Sequence, residues 1–215
     1  MGLFAKCVAL FIFILFIPIF FVVSMLSLIF QGRPIFFKQK RVGKDFKIFI
    51  LYKFRTMINT TKNDYSLDNV NRTTAWGKIL RRSKIDELPQ LINIILGDMR
   101  FIGPRPEIPY YVDKKKFDFL NQLHPGLSDY SSILFRDEEG ILTKIQEVSP
   151  YETILPLKIA LAQYYCSRKG FWQDLYLVII TILSIFLPKY TCNKFILPII
   201  KTHLQEWHGF YKKIF

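Results

Sequence analysis

Residues Cys7 to Phe30 read CVALFIFILFIPIFFVVSMLSLIF, twenty-four positions without a charge. At about 1.5 Å per helical residue, such a run covers the roughly 30 Å hydrocarbon core of a bilayer. It is longer than the apolar region of a secretory signal, and no small-x-small cleavage site follows, so it reads as a retained membrane segment. Pro18 lies in the middle of the run. It has no N–H and its ring presses on the preceding turn, which predicts a kink there. Two topologies follow: a bent helix that crosses the bilayer, or a re-entrant helix whose ends leave from one face. Lys6 precedes the run and Arg33, Lys38, Lys40, Arg41 and Lys44 follow it, the kind of charge that marks the cytoplasmic side. The residues alone leave both topologies open.

Outward from this segment, the 215-residue chain is 51% hydrophobic and 16% aromatic, which excludes disorder. Its net charge of +13, from 30 Lys+Arg against 17 Asp+Glu, excludes an acidic solvating protein and points to anionic partners. Nucleic acid, anionic lipid and phosphorylated small molecules all qualify on charge. A second apolar stretch, Leu175 to Leu187, is too short to span and reads either as an interfacial helix flanked by Phe171, Trp172 and Tyr190 or as a core helix. Three cysteines without a C-x-x-C predict no disulfide framework, and three histidines without H-E-x-x-H predict no zinc site.

Residues 31–62 alternate apolar and basic positions, with Gly43 and Asp45 offering a turn, which predicts a basic β-hairpin beneath lipid headgroups. The polar stretch 59–75 predicts a loop. Trp76, Ile79 and Leu80 mark a short helix ending at Arg81 and Arg82. A second helix follows from Asp86-Glu87-Leu88-Pro89-Gln90, with Leu88, Leu91, Ile92, Ile95 and Leu96 on one face and Gly97 as its stop. Asp86 and Glu87 then sit at a helix start, where the dipole favours an ionised carboxylate. Gly103-Pro104-Arg105-Pro106 follows within one helix length, and its prolines hold Arg105 in extended backbone, suited to binding phosphate through both arms of the guanidinium. Carboxylates and arginines in one short stretch predict a phosphate-bearing substrate, with Mg²⁺ between acid groups and phosphate oxygens.

Three stretches carry a resemblance: Gly32 to Met57 with its KFRTM, Leu80 to Pro109 with DELPQL, GDM and GPRP, and His124 to Ile133, the HPGLSDYSSI turn. In this order they resemble the bacterial sugar transferases known as monotopic phosphoglycosyl transferases, over about residues 5–187. The resemblance implies an α+β protein: a re-entrant N-terminal membrane helix kinked at Pro18 (1–31), a small, mostly helical catalytic domain (32–188) with a basic hairpin and interfacial amphipathic helices, and a tail (189–215) packed on domain or membrane. It implies an enzyme on the cytoplasmic face of the cytoplasmic membrane. Sugar 1-phosphate would pass from a UDP-sugar to undecaprenyl phosphate with release of UMP, the first membrane step in assembling capsule, O-antigen, exopolysaccharide or glycoprotein glycan.

By the same resemblance Asp86 is the nucleophile that forms a covalent phosphosugar intermediate, Glu87 its acid/base or metal-positioning partner, and Mg²⁺ the cofactor, bridging Asp86 and the diphosphate. Arg81, Arg105 and Arg136 are expected on substrate phosphates, Arg136 because it follows the Pro125-Gly126 turn as the family's arginine does. Lys53 and Arg55 are expected on phosphates or headgroups, with Gly103, Pro104, Pro106, Pro125 and Gly126 shaping the loops. Membrane lipids, a homodimer and downstream glycosyltransferases complete the partners, and nucleic acid is not expected. The chain departs from the pattern in carrying Ile17 where a serine is usual before the kink proline, and in its 125–139 segment, which points to a different sugar preference. The alternative is a non-catalytic, membrane-anchored basic protein that binds lipid or scaffolds other enzymes.

Overall fold

A computed structural model describes residues 2–58, 73–147 and 149–214, which fall into two compact units. One collects 2–58, 73–101 and 106–127; the other collects 102–105 and the described residues from 128 onward. Most of the loop expected over 59–75 (59–72) lies outside the described residues.

The first unit opens with α1 (Leu3–Leu15) and α2 (Ile17–Gln31), bent 57° to each other. Neither helix alone is long and apolar enough to cross a membrane, whereas the pair together meets that test. The break falls at Phe16, not at Pro18. Pro18 occupies the first turn of α2, where a missing N–H loses no intrahelical bond, and the break lies in the turn before it, on which the proline ring would press in a continuous helix. Ala9 and Val23 are buried, while Phe4, Phe11, Leu15, Phe21, Ile29 and Phe30 point outward.

β1 (Phe36–Val42) and β2 (Ile48–Phe54) pair antiparallel from Phe36 opposite Phe54 to Val42 opposite Ile48. Positive φ in the turn falls on Asp45 and Phe46, while Gly43 is extended. Alternation along β2 puts Phe49, Leu51 and Lys53 on one face. Phe49 and Leu51 join Ala9, Leu91, Ile94 and Met99 in a buried cluster, so the strand face that carries Lys53 also packs on the first helix and on α4 (Gln90–Leu96). Phe54 packs instead with Val23 and Leu80.

α3 (Ala75–Ser83) is capped by Thr74, whose Oγ1 accepts from Gly77 N at 2.9 Å. A Cβ on Gly77 would lie 2.0 Å from Thr56 O, so only glycine lets α3 lie this close to the strand exit. Gly97 ends α4 at φ 97°. The expected face of α4 is rotated: Gln90, Leu91, Asn93 and Ile94 are buried, and Leu96 is exposed. Asn93 causes the rotation by docking on β2, accepting from Tyr52 N at 3.2 Å and donating to Ile50 O at 2.6 Å. In the same unit Val42 N donates to Glu107 O, and Arg41 donates to Pro106 O and pairs with Glu107 at 3.5 Å.

Two short strands, β3 (Arg100–Ile102) and β4 (Gly126–Ser128), pair with each other. The second unit continues with α5 (Tyr130–Leu134), α6 (Glu138–Leu142), α7 (Pro150–Arg168), α8 (Phe171–Phe186), α9 (Pro188–Thr191), α10 (Leu197–His203) and α11 (His208–Ile214). α8 buries Leu177, Ile180 and Ser184 and exposes Phe171, Trp172, Ile179, Ile182 and Phe186, so it is half core helix and half outward apolar face. Thr191, Ile196 and Ile200 are fully buried and Cys192 Sγ donates to Ile133 O, so residues after 188 pack within this unit. The mixed class is as expected: helices with two small sheets.

Candidate active site

The acidic pair lies between α3 and α4. Lys84 ends α3 in the left-handed region (φ 60°, ψ 12°), and Ile85–Glu87 form one 3₁₀ turn ahead of α4. The sequence expectation of a carboxylate on the first turn of a regular helix is thus replaced by a tighter turn entered through a strained residue. Asp86 and Glu87 are both buried, 6% and 8% exposed.

Glu87 Oε1 accepts from Lys53 Nζ at 3.0 Å and lies 3.7 Å from Lys84 Nζ. Asp86 Oδ1 is buried with no hydrogen-bond partner. Burial and the neighbouring Glu87 raise the Asp86 pKa above its ordinary 3.8, against the pull of Lys53, Lys84 and Arg81. This upward direction runs against the pull of a helix terminus: desolvation in the tight turn outweighs the dipole that a seven-residue helix can offer.

Of the basic residues singled out in the sequence, Lys53 and Arg81 come together around the pair. Arg81 Nε also donates to Thr56 Oγ1 at 2.9 Å, which aims the guanidinium off α3. Arg55 is buried elsewhere: its guanidinium donates to the carbonyls of Gln31, Gly32 and Arg33 and closes the exit of α2. Lys84 had no assigned role in the sequence reading, although its place three residues before Glu87 carried the signal.

Arg105 and Arg136 belong to the second unit. Arg105 is partly exposed between buried Pro104 and Pro106. Its N–H donates to Asp129 Oδ2 at 3.3 Å and its Nη1 to Ser132 Oγ at 3.4 Å. Asp129, 1% exposed, caps α5 and accepts also from Ser131 Oγ at 2.8 Å and from Ser132 N at 2.7 Å, and Gly103 N donates to Ser128 O at 3.1 Å. Asp129 thus holds the loop that presents Arg105, a function the sequence reading missed. Arg136 follows α5 near the Cys192 thiol, whose pKa burial pushes up to about 11 against the pull of Arg136. In the first unit, Pro125 O accepts from Arg100 N at 2.8 Å, fixing the start of the Pro125-Gly126 turn.

Residues 2–188 match the bacterial sugar transferase family, and the chain belongs to it. It is 32% identical, over 80% of its length, to a UDP-N-acetylgalactosamine-undecaprenyl-phosphate N-acetylgalactosaminephosphotransferase of Aeromonas hydrophila. It is 28% identical, over 83%, to a UDP-glucose:undecaprenyl-phosphate glucose-1-phosphate transferase of Klebsiella pneumoniae, and 31% identical, over 54%, to an undecaprenyl-phosphate galactose phosphotransferase of Salmonella typhimurium. The matched regions cover 40%, 38% and 28% of those relatives, so the chain spans well under half of their length.

Proposed function

We propose that this chain is a phosphoglycosyl transferase that moves a sugar 1-phosphate from a UDP-sugar to undecaprenyl phosphate. The observation that carries the reading is the Asp86 carboxyl, buried with one oxygen unpartnered, beside a Glu87 that Lys53 and Lys84 hold. A structural acid would have both oxygens satisfied; this one is kept bare at a cost.

In the proposed reaction an Asp86 oxygen attacks the β-phosphorus of the UDP-sugar. The bond from that phosphorus to the bridging oxygen breaks, and UMP leaves with the electron pair. The product is a mixed anhydride of Asp86 and sugar phosphate. A phosphate oxygen of undecaprenyl phosphate then attacks the same phosphorus, which releases the Asp86 carboxylate and leaves undecaprenyl diphosphate sugar. Lys53, Lys84 and Arg81 offset the repulsion between the carboxylate and the incoming diphosphate. The Lys53–Glu87 contact fixes the turn, and Arg105 and Arg136 are assigned to substrate phosphates.

No cluster of three metal-ligating side chains occurs among the described residues, and the Asp86 oxygen without a partner fits the mode in which Mg²⁺ takes one or two carboxylates plus substrate phosphates. Asp86 and Glu87 would hold the ion, which would supply charge neutralisation at the diphosphate. The α1–α2 pair is assigned a re-entrant path with the acidic pair on the cytoplasmic face, a reading that the 57° break and the outward apolar residues support.

The test is Asp86→Asn in membranes or detergent, assayed for UMP release from a panel of UDP-sugars with undecaprenyl phosphate. Loss of UMP release and of a radiolabelled phosphosugar adduct, with membrane association retained, is expected. Turnover by the variant would overturn the assignment, and a wild-type chain that binds membranes but turns over no UDP-sugar would favour the scaffold alternative.

A further inference from the structure

The buried face of α4 carries two side-chain amides, and the fold uses them differently. Asn93, fully buried, is saturated: it accepts from Tyr52 N and donates to Ile50 O and to Asp98 Oδ2 at 3.3 Å. Gln90 is 2% exposed, and its Nε2 is buried without any partner. Buried amides are almost always hydrogen-bonded, because stripping water from a donor without giving it an acceptor weakens the fold. The cost at Gln90, the first residue of α4, falls four residues after Asp86, whose Oδ1 is also buried and bare. One is a donor and the other an acceptor, so a single ligand with phosphate oxygens and an electrophilic phosphorus can engage both. Three cations, Lys53, Lys84 and Arg81, act on Asp86 against the negative charge of Glu87, which leaves cationic partners for an arriving phosphate.

We infer that Gln90 is a substrate-binding residue of this site, its Nε2 donating to a non-bridging phosphate oxygen of the bound substrate. A neutral donor suits the position: it orients a phosphate oxygen without adding a cation that would compete for the Asp86 carboxylate. The inference rests on the phosphoglycosyl transfer reading and adds a named contact to it.

The decisive variant is Gln90→Met, which keeps the length of the side chain and removes the amide, with Gln90→Glu as its counterpart. Three quantities are measured on the full chain: the affinity for UDP by calorimetry, the KM for undecaprenyl phosphate, and the melting temperature without ligand. Gln90→Met should weaken UDP binding or raise the KM for undecaprenyl phosphate about tenfold, as expected for loss of a hydrogen bond to a charged group. Its melting temperature should stay level or rise, because the unsatisfied donor is gone. Gln90→Glu should lose more than Gln90→Met, since it sets a third acid beside Asp86 and Glu87. Weaker UDP binding places the contact on the donor diphosphate, and a raised KM for undecaprenyl phosphate alone places it on the acceptor phosphate; either supports the inference. Wild-type affinities in Gln90→Met overturn it. So does a lowered melting temperature, which marks an amide that pairs inside the protein, with Asp86 for instance. A wild-type chain that neither binds UDP nor releases UMP fails the transfer reading and the inference with it, whereas an active wild type with an unaffected Gln90→Met fails the inference alone.

Discussion

Asp129 and Asp86 are both nearly inaccessible, yet the fold treats them in opposite ways. Asp129 accepts from two serine hydroxyls and two backbone amides, and every one of those bonds ties the start of α5 or the Arg105 loop in place. Asp86 has an oxygen with no bond, an acidic neighbour, and a pKa pushed upward. Burial does not distinguish a bolt from a reactive group; the state of the lone pairs does. A carboxylate whose oxygens are filled has been used by the structure, and one left bare against its own desolvation is available to something that arrives later.

The largest expected effect is on catalysis. Asp86→Asn should cut UMP release by roughly 10³-fold or more, the scale of losing a nucleophile, and Asp129→Asn by far less. Equal losses would break the comparison. Next comes stability. Asp129→Ala removes a helix cap and strands three donors, which should cost about 2–4 kcal/mol in denaturant unfolding, while Asp86→Asn costs nothing by the same measurement.

Lys53→Met sharpens the comparison from another side. It removes a cation that lowers the Asp86 pKa, so the acid limb of the kcat/KM profile should move to higher pH. The stability loss expected with it, about 1–3 kcal/mol, comes from leaving the Glu87 carboxylate short of its partner.

The smallest effect concerns stability against pH. The Asp86 pKa is higher folded than unfolded, so the folded state binds the proton more tightly. The acid therefore costs no stability below its unfolded pKa near 3.8, and its cost grows as pH rises through the folded value. Asp86→Asn should melt at a slightly higher temperature than wild type at neutral pH, with the gain shrinking on acidification. A gain that persists at pH 3 would show that ionisation is not its cause.

How much of this was legible in the sequence depends on the range of the interactions. The helices on either side of the acidic pair, the hairpin alternation and the Gly97 stop follow from local periodicity and turn chemistry, and they were readable. The bend of the first helix pair was readable from Pro18, but the residue at which it falls, Phe16, and the 3₁₀ turn were not, because each is decided by which residue yields when two helices must meet. The buried face of α4 was misjudged because Asn93, polar in any scale, is drawn inward by strand backbone forty residues away. Arg55 illustrates the same limit: a basic residue in a basic stretch reads as a phosphate ligand until the carbonyls of the α2 exit are seen around it. Lys84, Gln90 and Asp129 all lie in motifs that drew attention, but what distinguishes them is a partner, or the want of one, that no spacing encodes.

One contact gives the acidic turn its height. Trp76 Nε1, on α3, donates to Ser27 Oγ on α2 at 3.0 Å, and Ser27 is 1% exposed. α3 leads through Lys84 directly into Ile85–Glu87. With the helix pair seated in lipid as proposed, this bond works as a depth gauge. On the proposed reading, Asp86 would then stay at a set distance from the plane where a lipid phosphate floats, and the acceptor would find it by sliding sideways in two dimensions rather than by leaving the bilayer.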